Sequence, residues 1–132
     1  MKIKVLKIDV ELTGEISELE IEREDYKVLQ KELNVDLFDI VSRKIGDKYY
    51  DIVCDDEGLL KSNPKISAIF NTGYTVNNPV NIGLVGNLLI CGKTDNEGEL
   101  TGLTYEDVHN IKKHTISLFQ NGKITPVVVC SG

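Results

Sequence analysis

The uncharged, mostly apolar run at residues 84–91 constrains the fold more than any other segment. Its sequence, Leu-Val-Gly-Asn-Leu-Leu-Ile-Cys, is typical of a strand at the centre of a sheet. A central strand needs neighbours on both of its edges. The rest of the chain must therefore supply further strands and the elements that cover them.

The N-terminal segment supplies two of these strands. Residues 2–12 alternate between apolar and polar side chains, and a change of phase near Leu6 predicts a bulge. Thr13-Gly14 is a turn signal, and residues 18–22 alternate again. The pattern predicts an N-terminal hairpin.

A helix and a second hairpin are predicted next. Residues 24–34 carry apolar side chains at helical spacing, and Asn34 suits the C-terminal stop. Strands are predicted at residues 37–45 and 49–54. The segment between them, residues 46–48, reads Gly-Asp-Lys and is a hairpin signal.

The second half of the chain adds one clear helix. Residues 66–70 are a short apolar stretch that precedes the central run. Thr104 followed by Asp107 is close to a capping box. Apolar spacing predicts that this helix continues to the Asn-Gly pair at residues 121–122. Residues 123–130 are the last predicted strand.

The predicted element order is β-β-α-β-β-loop-β-α-β. Strict βαβ alternation is absent from this order, which favours an α+β fold with a mostly antiparallel or mixed sheet and two packed helices. We expect one domain over residues 1–132, with the hairpin at 1–22, a core at 24–120 and a closing strand at 123–130.

Charge and composition narrow the classes of function. The net charge of −6 counts against direct nucleic-acid binding and against anionic membranes. No run approaches the roughly 20 apolar residues that span a bilayer, so we expect a cytoplasmic protein. The three cysteines are widely spaced, which predicts buried, reduced thiols rather than a metal site: Cys54, Cys91 and Cys130.

The motifs that resemble catalytic or metal sites are incomplete. Residues 86–94 end in Gly-Lys-Thr like a phosphate loop, but five residues separate the glycines instead of four, and no helix is predicted to follow. The turns at 55–58 and 95–98 lack the first acidic residue of a calcium loop. His109 and His114 lie on different faces of a helix. We therefore predict no enzyme, no metal and no cofactor.

One strand is strongly acidic. Glu18, Glu20 and Glu22 share one face of the predicted strand and are spaced by about 6.6 Å, close to twice the spacing of phosphates along a DNA strand. This ladder could mimic a nucleic acid toward a basic partner. A solvated edge strand, whose charges prevent aggregation, explains the same residues.

The other candidate site is the polar segment at residues 71–81. Its amides and its ring suit a small nucleotide-like ligand, and the candidate ligand-binding residues are Asn71, Thr72, Tyr74, Asn77 and Asn78. In an acidic chain a phosphate ligand also needs cations nearby. The sequence offers Arg43, Lys61, Lys65 and Lys93 for that role.

The second half of the chain resembles a known family. The motifs that carry the resemblance are Asn63-Pro64 and the stretches at residues 85–92, 95–99 and 102–107. They resemble the uncharacterised family catalogued as domain of unknown function 3846, in which an apolar strand leads through an acidic Gly turn to a helix with a Leu-Thr cap. The resemblance covers about residues 24 to 120, and the N-terminal hairpin and last strand are expected outside it.

That resemblance implies a phage or mobile-element setting but no activity and no catalytic residues. By analogy with small acidic phage proteins, we expect a non-enzymatic binding protein that counters host defence by sequestering a nucleotide-like ligand. The alternatives are an acidic inhibitor of a nucleic-acid-binding host protein and a regulator or scaffold of unknown partner. A homo-oligomer is also compatible with the sequence.

Overall fold

The computed structural model describes residues 1–11, 13–55, 65–70 and 82–131. These residues form nine strands and two helices: β1 (Lys2–Ile8), β2 (Ile16–Glu22), α1 (Tyr26–Leu33), β3 (Phe38–Ile45), β4 (Lys48–Asp55), β5 (Ile66–Phe70), β6 (Ile82–Val85), β7 (Leu88–Cys91), α2 (Tyr105–Lys113), β8 (Thr115–Gln120) and β9 (Lys123–Cys130). No described helix is long and apolar enough to cross a membrane.

The strands form two sheets. The first sheet has the order β2-β1-β7-β4-β3, and every neighbouring pair in it is antiparallel. The second sheet has the order β6-β5-β9-β8, in which only the pair β5–β9 is parallel. The predicted α+β class with two helices is confirmed, and the strands form one antiparallel and one mixed sheet where a single sheet was predicted.

Strand β7 lies at the centre of the first sheet and is buried on both faces. Leu88 and Ile90 belong to a core that the second sheet and α2 share with the first sheet. Leu89 and Cys91 point the other way, into a smaller core that α1 covers. The central position predicted for the apolar run is therefore confirmed for its last four residues.

The first half of that run is a different strand. The chain leaves β6 in the second sheet at Val85 and enters β7 in the first sheet at Leu88, so the single strand predicted over residues 84–91 is wrong. Gly86 adopts φ 87°, a backbone conformation that other residues avoid. The side chain of Asn87 then accepts the N–H of Val10 at 2.9 Å. Apolar patterning does not distinguish one buried strand from two joined by such a link.

Strand β1 carries no bulge. Its register with β2 runs without a shift from Lys2 opposite Glu22 to Ile8 opposite Ile16. The change of phase near Leu6 arises because β1 is buried on both faces. Val5 packs in the core under α1, whereas Leu6 packs in the core shared with the second sheet. The predicted bulge is wrong, and the N-terminal hairpin is confirmed.

Helix α1 is short and begins and ends at capping residues. Asp25 caps its N-terminus by accepting the Lys27 N–H at 3.0 Å. Asn34 adopts the left-handed conformation at its C-terminus, which confirms it as the stop. Leu29 and Leu33 are buried against the first sheet.

Helix α2 ends earlier than the sequence pattern predicts. Thr104 and Asp107 form the capping box at its start, but the helix stops at Lys113, and residues 115–120 are strand β8. Asn121 and Gly122 both have positive φ and form the two-residue turn between β8 and β9. An Asn-Gly pair suits both a helix end and a hairpin turn, and here the pairing with β9 decides the outcome.

A side-chain amide extends the second sheet at the start of β5. The parallel pairing of β5 with β9 begins at Ala68 opposite Val128, and β5 has a register shift between Ile66 and Ala68. The amide of Gln120 binds the backbone of Ile66: its oxygen accepts the Ile66 N–H at 2.7 Å and its nitrogen donates to the Ile66 carbonyl at 2.8 Å.

Replacing this amide is expected to destabilise the protein. Gln120→Ala removes partners from the N–H and the C=O of Ile66, so the free energy of unfolding should fall by about 1–3 kcal/mol. Urea unfolding followed by circular dichroism measures the change. Ser117→Ala, at an exposed position of the same strand, is the control. Equal midpoints for the two variants would contradict the role of Gln120.

Candidate functional site

Tyr49 is an exposed aromatic residue at the start of β4, with 49% of its surface accessible. A two-residue turn, Gly46-Asp47, joins β3 to β4 and pairs Ile45 with Lys48. Lys44 therefore lies directly opposite Tyr49, and the two side chains project from the same face of the sheet. The carbonyl of Lys44 also accepts the Ser131 N–H at 2.6 Å, which fixes this end of β3.

Lys93 reaches the same ring from the end of β7. Its Nζ lies 5.6 Å from the centroid of Tyr49, within the range of a cation–π contact. Its carbonyl accepts the hydroxyl of Thr101 at 2.8 Å. The next N–H, of Thr94, donates to Asp51 Oδ2 at 2.8 Å. The backbone of Lys93 is thus held on both sides, although its side chain is exposed.

The position of Lys93 also depends on a close backbone approach. Gly92 pairs with Thr101 across an isolated bridge, and its N–H donates to the Thr101 carbonyl at 2.9 Å. A Cβ at Gly92 would collide with the Thr101 hydroxyl and come within 2.8 Å of the Gly102 carbonyl. Only glycine fits here without displacing the segment that carries Lys93.

We call Lys44, Tyr49, Asp51, Lys93 and Thr94 the Tyr49 surface. It lies on the part of this sheet face away from α1, since α1 packs on residues of β1, β2 and β7, on Val53 of β4 and on Phe38 at the other end of β3. Ile40, further along β3 on the same face, is 36% exposed. An exposed ring with one ammonium group near it and a second lysine opposite it in the register is suited to an aromatic anion.

The structure brings together one of the predicted cations with residues that the prediction missed. Lys93 lies on the Tyr49 surface. Arg43 projects from the opposite face of β3, beside Tyr50. Lys65 precedes β5 in the second sheet. Lys61 lies outside the described residues, as do all five predicted ligand-binding residues: Asn71, Thr72, Tyr74, Asn77 and Asn78.

Sequence patterning could have located the Tyr49 surface only with the correct turn length. A three-residue turn at 46–48 was predicted, which pairs Ile45 with Tyr49. The observed two-residue turn shifts the register by one position and pairs Lys44 with Tyr49 instead. The Gly-Asp pair at the turn was the available signal.

The acidic strand is confirmed as an alternating edge strand, but most of its charge is paired. Glu18 lies 3.8 Å from both Lys4 and Lys112, and Glu22 lies 2.9 Å from the N-terminal amine. Glu20 stands opposite Lys4 in the register. Exposed pairs of this kind are weak, at about 0–1 kcal/mol each. The inhibitor hypothesis for Glu18, Glu20 and Glu22 stays a prediction.

A second polar cluster joins α2 to the first sheet. Asp107 is 4% exposed, and its Oδ1 accepts from Lys48 Nζ at 2.7 Å and from the Tyr50 hydroxyl at 3.1 Å. Its Oδ2 accepts the Thr104 N–H at 2.9 Å. Asn110 donates to the Tyr50 oxygen at 3.0 Å. These polar side chains are hydrogen-bonded to one another, and the cluster therefore fixes the position of α2 on the first sheet.

Burial opposes ionisation of Asp107, but hydrogen bonds from Lys48, Thr104 and Tyr50 outweigh it and lower the pKa of its carboxyl.

The cysteine thiols have raised pKa values. Burial raises the pKa of the Cys91 thiol to about 12 and of the Cys130 thiol to about 11, so both stay protonated and unreactive at neutral pH. The cysteines Cys54, Cys91 and Cys130 are buried thiols that form no disulfide with one another, as predicted.

The turn at residues 95–98 is built by its own carboxylate. Asp95 Oδ1 accepts the N–H groups of Glu97 at 2.9 Å and Glu99 at 3.0 Å, and these bonds lower the pKa of Asp95. That carboxylate therefore stabilises the turn that was predicted at residues 95–98. His114 ends α2, with Nδ1 2.8 Å from the Asn110 carbonyl, and His109 is exposed.

The lowered pKa of Asp107 predicts a pH-dependent stability. Ionised Asp107 stabilises the folded state above the pKa of the unfolded chain, about 4, and this contribution is lost as the pH falls through the lower folded pKa. Asp107→Asn should therefore destabilise the protein by about 1–3 kcal/mol at pH 7, and the deficit should shrink toward about pH 3. Urea unfolding at both pH values measures it. A deficit that does not change with pH would contradict the assignment.

The comparisons with known proteins agree with this picture of an uncharacterised domain. No curated protein and no solved structure matches the chain. One family model matches residues 1–116, so it includes the N-terminal hairpin and the whole Tyr49 surface. The expectation that the hairpin lies outside the family pattern is wrong, whereas β9 does lie beyond the match. The chain belongs to the family described as domain of unknown function DUF3846.

Proposed function

We propose that this chain is a non-enzymatic binding protein that holds a small aromatic anion, such as a nucleotide, on the Tyr49 surface. The observation that carries the proposal is the approach of Lys93 Nζ to within 5.6 Å of the Tyr49 ring centroid, with Lys44 directly opposite that ring. A base can stack on the exposed ring while its phosphates contact the two ammonium groups.

The electrostatics of the Tyr49 surface support an anionic ligand. The chain has a net charge of −6, yet this surface carries two lysines, Lys93 near the ring of Tyr49 and Lys44 opposite Tyr49 in the register. Asp51, the acid of the surface, is 6% exposed and accepts the N–H of Thr94. Its charge is therefore directed toward the backbone that supports Lys93 rather than toward a ligand above Tyr49.

The free energies of the two contacts favour replacement of the Lys93–Tyr49 contact by a base stacked on the ring. An exposed cation–π contact contributes about 0.5–1 kcal/mol. Stacking of one base on an aromatic side chain contributes about 1–3 kcal/mol. A nucleotide therefore gains more from the ring than Lys93 loses, and the displaced ammonium group remains beside the phosphates.

Binding without reaction fits the same residues. Asp51 is committed to Thr94, and the thiols of Cys91 and Cys130 are buried and protonated. Among the residues of the Tyr49 surface, Asp51 is the one carboxylate, and its Oδ2 accepts the Thr94 N–H. In a phage or mobile element, such a protein would act by lowering the free concentration of a host nucleotide.

Removal of the ring is expected to weaken nucleotide binding. Tyr49→Ala should raise the Kd for ATP by about five- to 150-fold, which corresponds to the loss of one stacking contact. Tyr49→Phe should retain most of the affinity, because it keeps the stacking face. Isothermal titration calorimetry with ATP measures both.

Two other tyrosines provide the controls. Tyr105→Ala removes a ring that is 82% exposed on α2 and should leave the Kd unchanged. Tyr74→Ala tests the site predicted from the sequence at residues 71–81. Weakened binding in Tyr74→Ala but not in Tyr49→Ala would place the ligand at that segment. Absence of ATP binding to the unmodified chain at millimolar concentration would refute the nucleotide class.

The two lysines predict a specific response to salt. Binding of ATP should weaken as the salt concentration rises, because ammonium–phosphate attraction is screened. The double variant Lys44→Gln with Lys93→Gln should bind ATP more weakly and with a smaller dependence on salt, and should bind adenosine as the unmodified chain does. Titrations at two salt concentrations measure this difference. An unchanged salt dependence in the double variant would show that other cations hold the phosphates.

A further inference from the structure

Among the described residues, β8 pairs along one edge with β9, and the strand carries no charge, unlike the other long edge strands. The edges of the first sheet carry charges: β2 has three glutamates, and β3 has Asp39, Arg43 and Lys44. Such charges keep strand edges apart. Residues 115–122, by contrast, contain no charged side chain. The remaining edge strand, β6, is uncharged but has only four residues.

The edge of β8 also exposes apolar side chains on both of its faces. Ile116 is 41% exposed and Phe119 is 74% exposed, and the two residues point to opposite faces because their positions differ by three. Ile124, opposite Phe119 on β9, is 65% exposed. Within the described parts of the chain, β8 pairs only with β9. A long, apolar, uncharged edge is a site for strand addition.

The hydrogen-bond pattern identifies the groups at this edge. The Val129 N–H donates to the His114 carbonyl at 2.8 Å, and antiparallel bonding then alternates along β8. The N–H and C=O groups of every second residue, starting at Ile116, are directed toward β9. The N–H and C=O groups of Thr115, Ser117 and Phe119 are directed outward.

We propose that two copies of this chain associate through their β8 strands, antiparallel, to form one continuous eight-stranded sheet. A second copy is the occupant that the charges favour: β8 has no charge to repel itself, whereas β2 against a second β2 would oppose glutamates. A two-fold axis perpendicular to the sheet keeps each face on its own side. The outward N–H and C=O groups of one copy then bond to those of the other copy, and the axis passes through Ser117 or through Leu118.

The experiment is sedimentation equilibrium of the unmodified chain and of Ser117→Lys over a range of concentrations. The unmodified chain should reach twice its mass of 14.7 kDa, and added salt should favour the dimer because two chains of charge −6 repel each other. Ser117→Lys places like charges beside the axis and should stay at 14.7 kDa. Ser42→Lys, an exposed serine on edge strand β3, should dimerise as the unmodified chain does.

A crosslinking experiment tests the pairing independently of the lysine variant. Ser117→Cys and Leu118→Cys are each incubated with oxidised glutathione, which accepts the two electrons released as two thiols form one disulfide. One of the two variants should give a covalent dimer, since the paired Cα atoms of an antiparallel ladder lie about 4.5–5.5 Å apart. The unmodified chain, with its three buried cysteines, should not.

The outcomes separate the proposal from its alternatives. An unmodified chain that stays monomeric at every concentration would overturn it, including the case in which β8 receives a strand from a different protein. Masses that grow beyond two copies would also overturn it, because two-fold pairing closes. A dimer that persists in Ser117→Lys and forms no crosslink at either position uses another surface.

Discussion

Burial of β7 on both of its faces is the constraint from which the rest of the fold follows. Leu88, Leu89, Ile90 and Cys91 are all inaccessible to solvent, and β1 and β4 occupy both edges of the strand. A strand in this position requires cover on each side. Helix α1 covers one face, and the second sheet together with α2 covers the other. The Tyr49 surface lies on the first face at the turn end of the β3–β4 hairpin, away from the residues that contact α1.

Sequence patterns correctly predicted those elements whose ends are set by residues close to them in the chain. The stop at Asn34, the capping box of Thr104 and Asp107, and the N-terminal hairpin all belong to this group. Signals that depend on tertiary partners were misread. The apolar positions after Lys113 fit a helix as well as a strand, and only pairing with β9 assigns them to β8. In the same way, burial of β1 on two faces imitates a bulge.

The candidate site illustrates the same division. Lys93 was identified as an available cation, but its partners could not be identified, because they come from a hairpin whose register differs by one residue from the predicted one. The hydrogen bonds that hold the backbone at Lys93 and Thr94 come from Thr101, eight positions away, and from Asp51, which lies further away in the chain. Contacts of this kind arise from sheet topology, which patterning does not specify. The segment that carried the predicted ligand-binding residues lies outside the described residues.

The crossing at Gly86 and Asn87 couples the two sheets mechanically. A link of two residues spans at most about 10 Å. The end of β6 therefore stays within about two strand spacings of the start of β7. Asn87 also accepts the N–H groups of Val10 and Glu11, at 2.9 and 3.3 Å, and Gly86 donates to the Lys65 carbonyl at 2.9 Å. A force that pulls on the second sheet is therefore transmitted directly to the most buried strand of the first, and the sheets cannot be drawn apart while β6 and β7 both keep their partners.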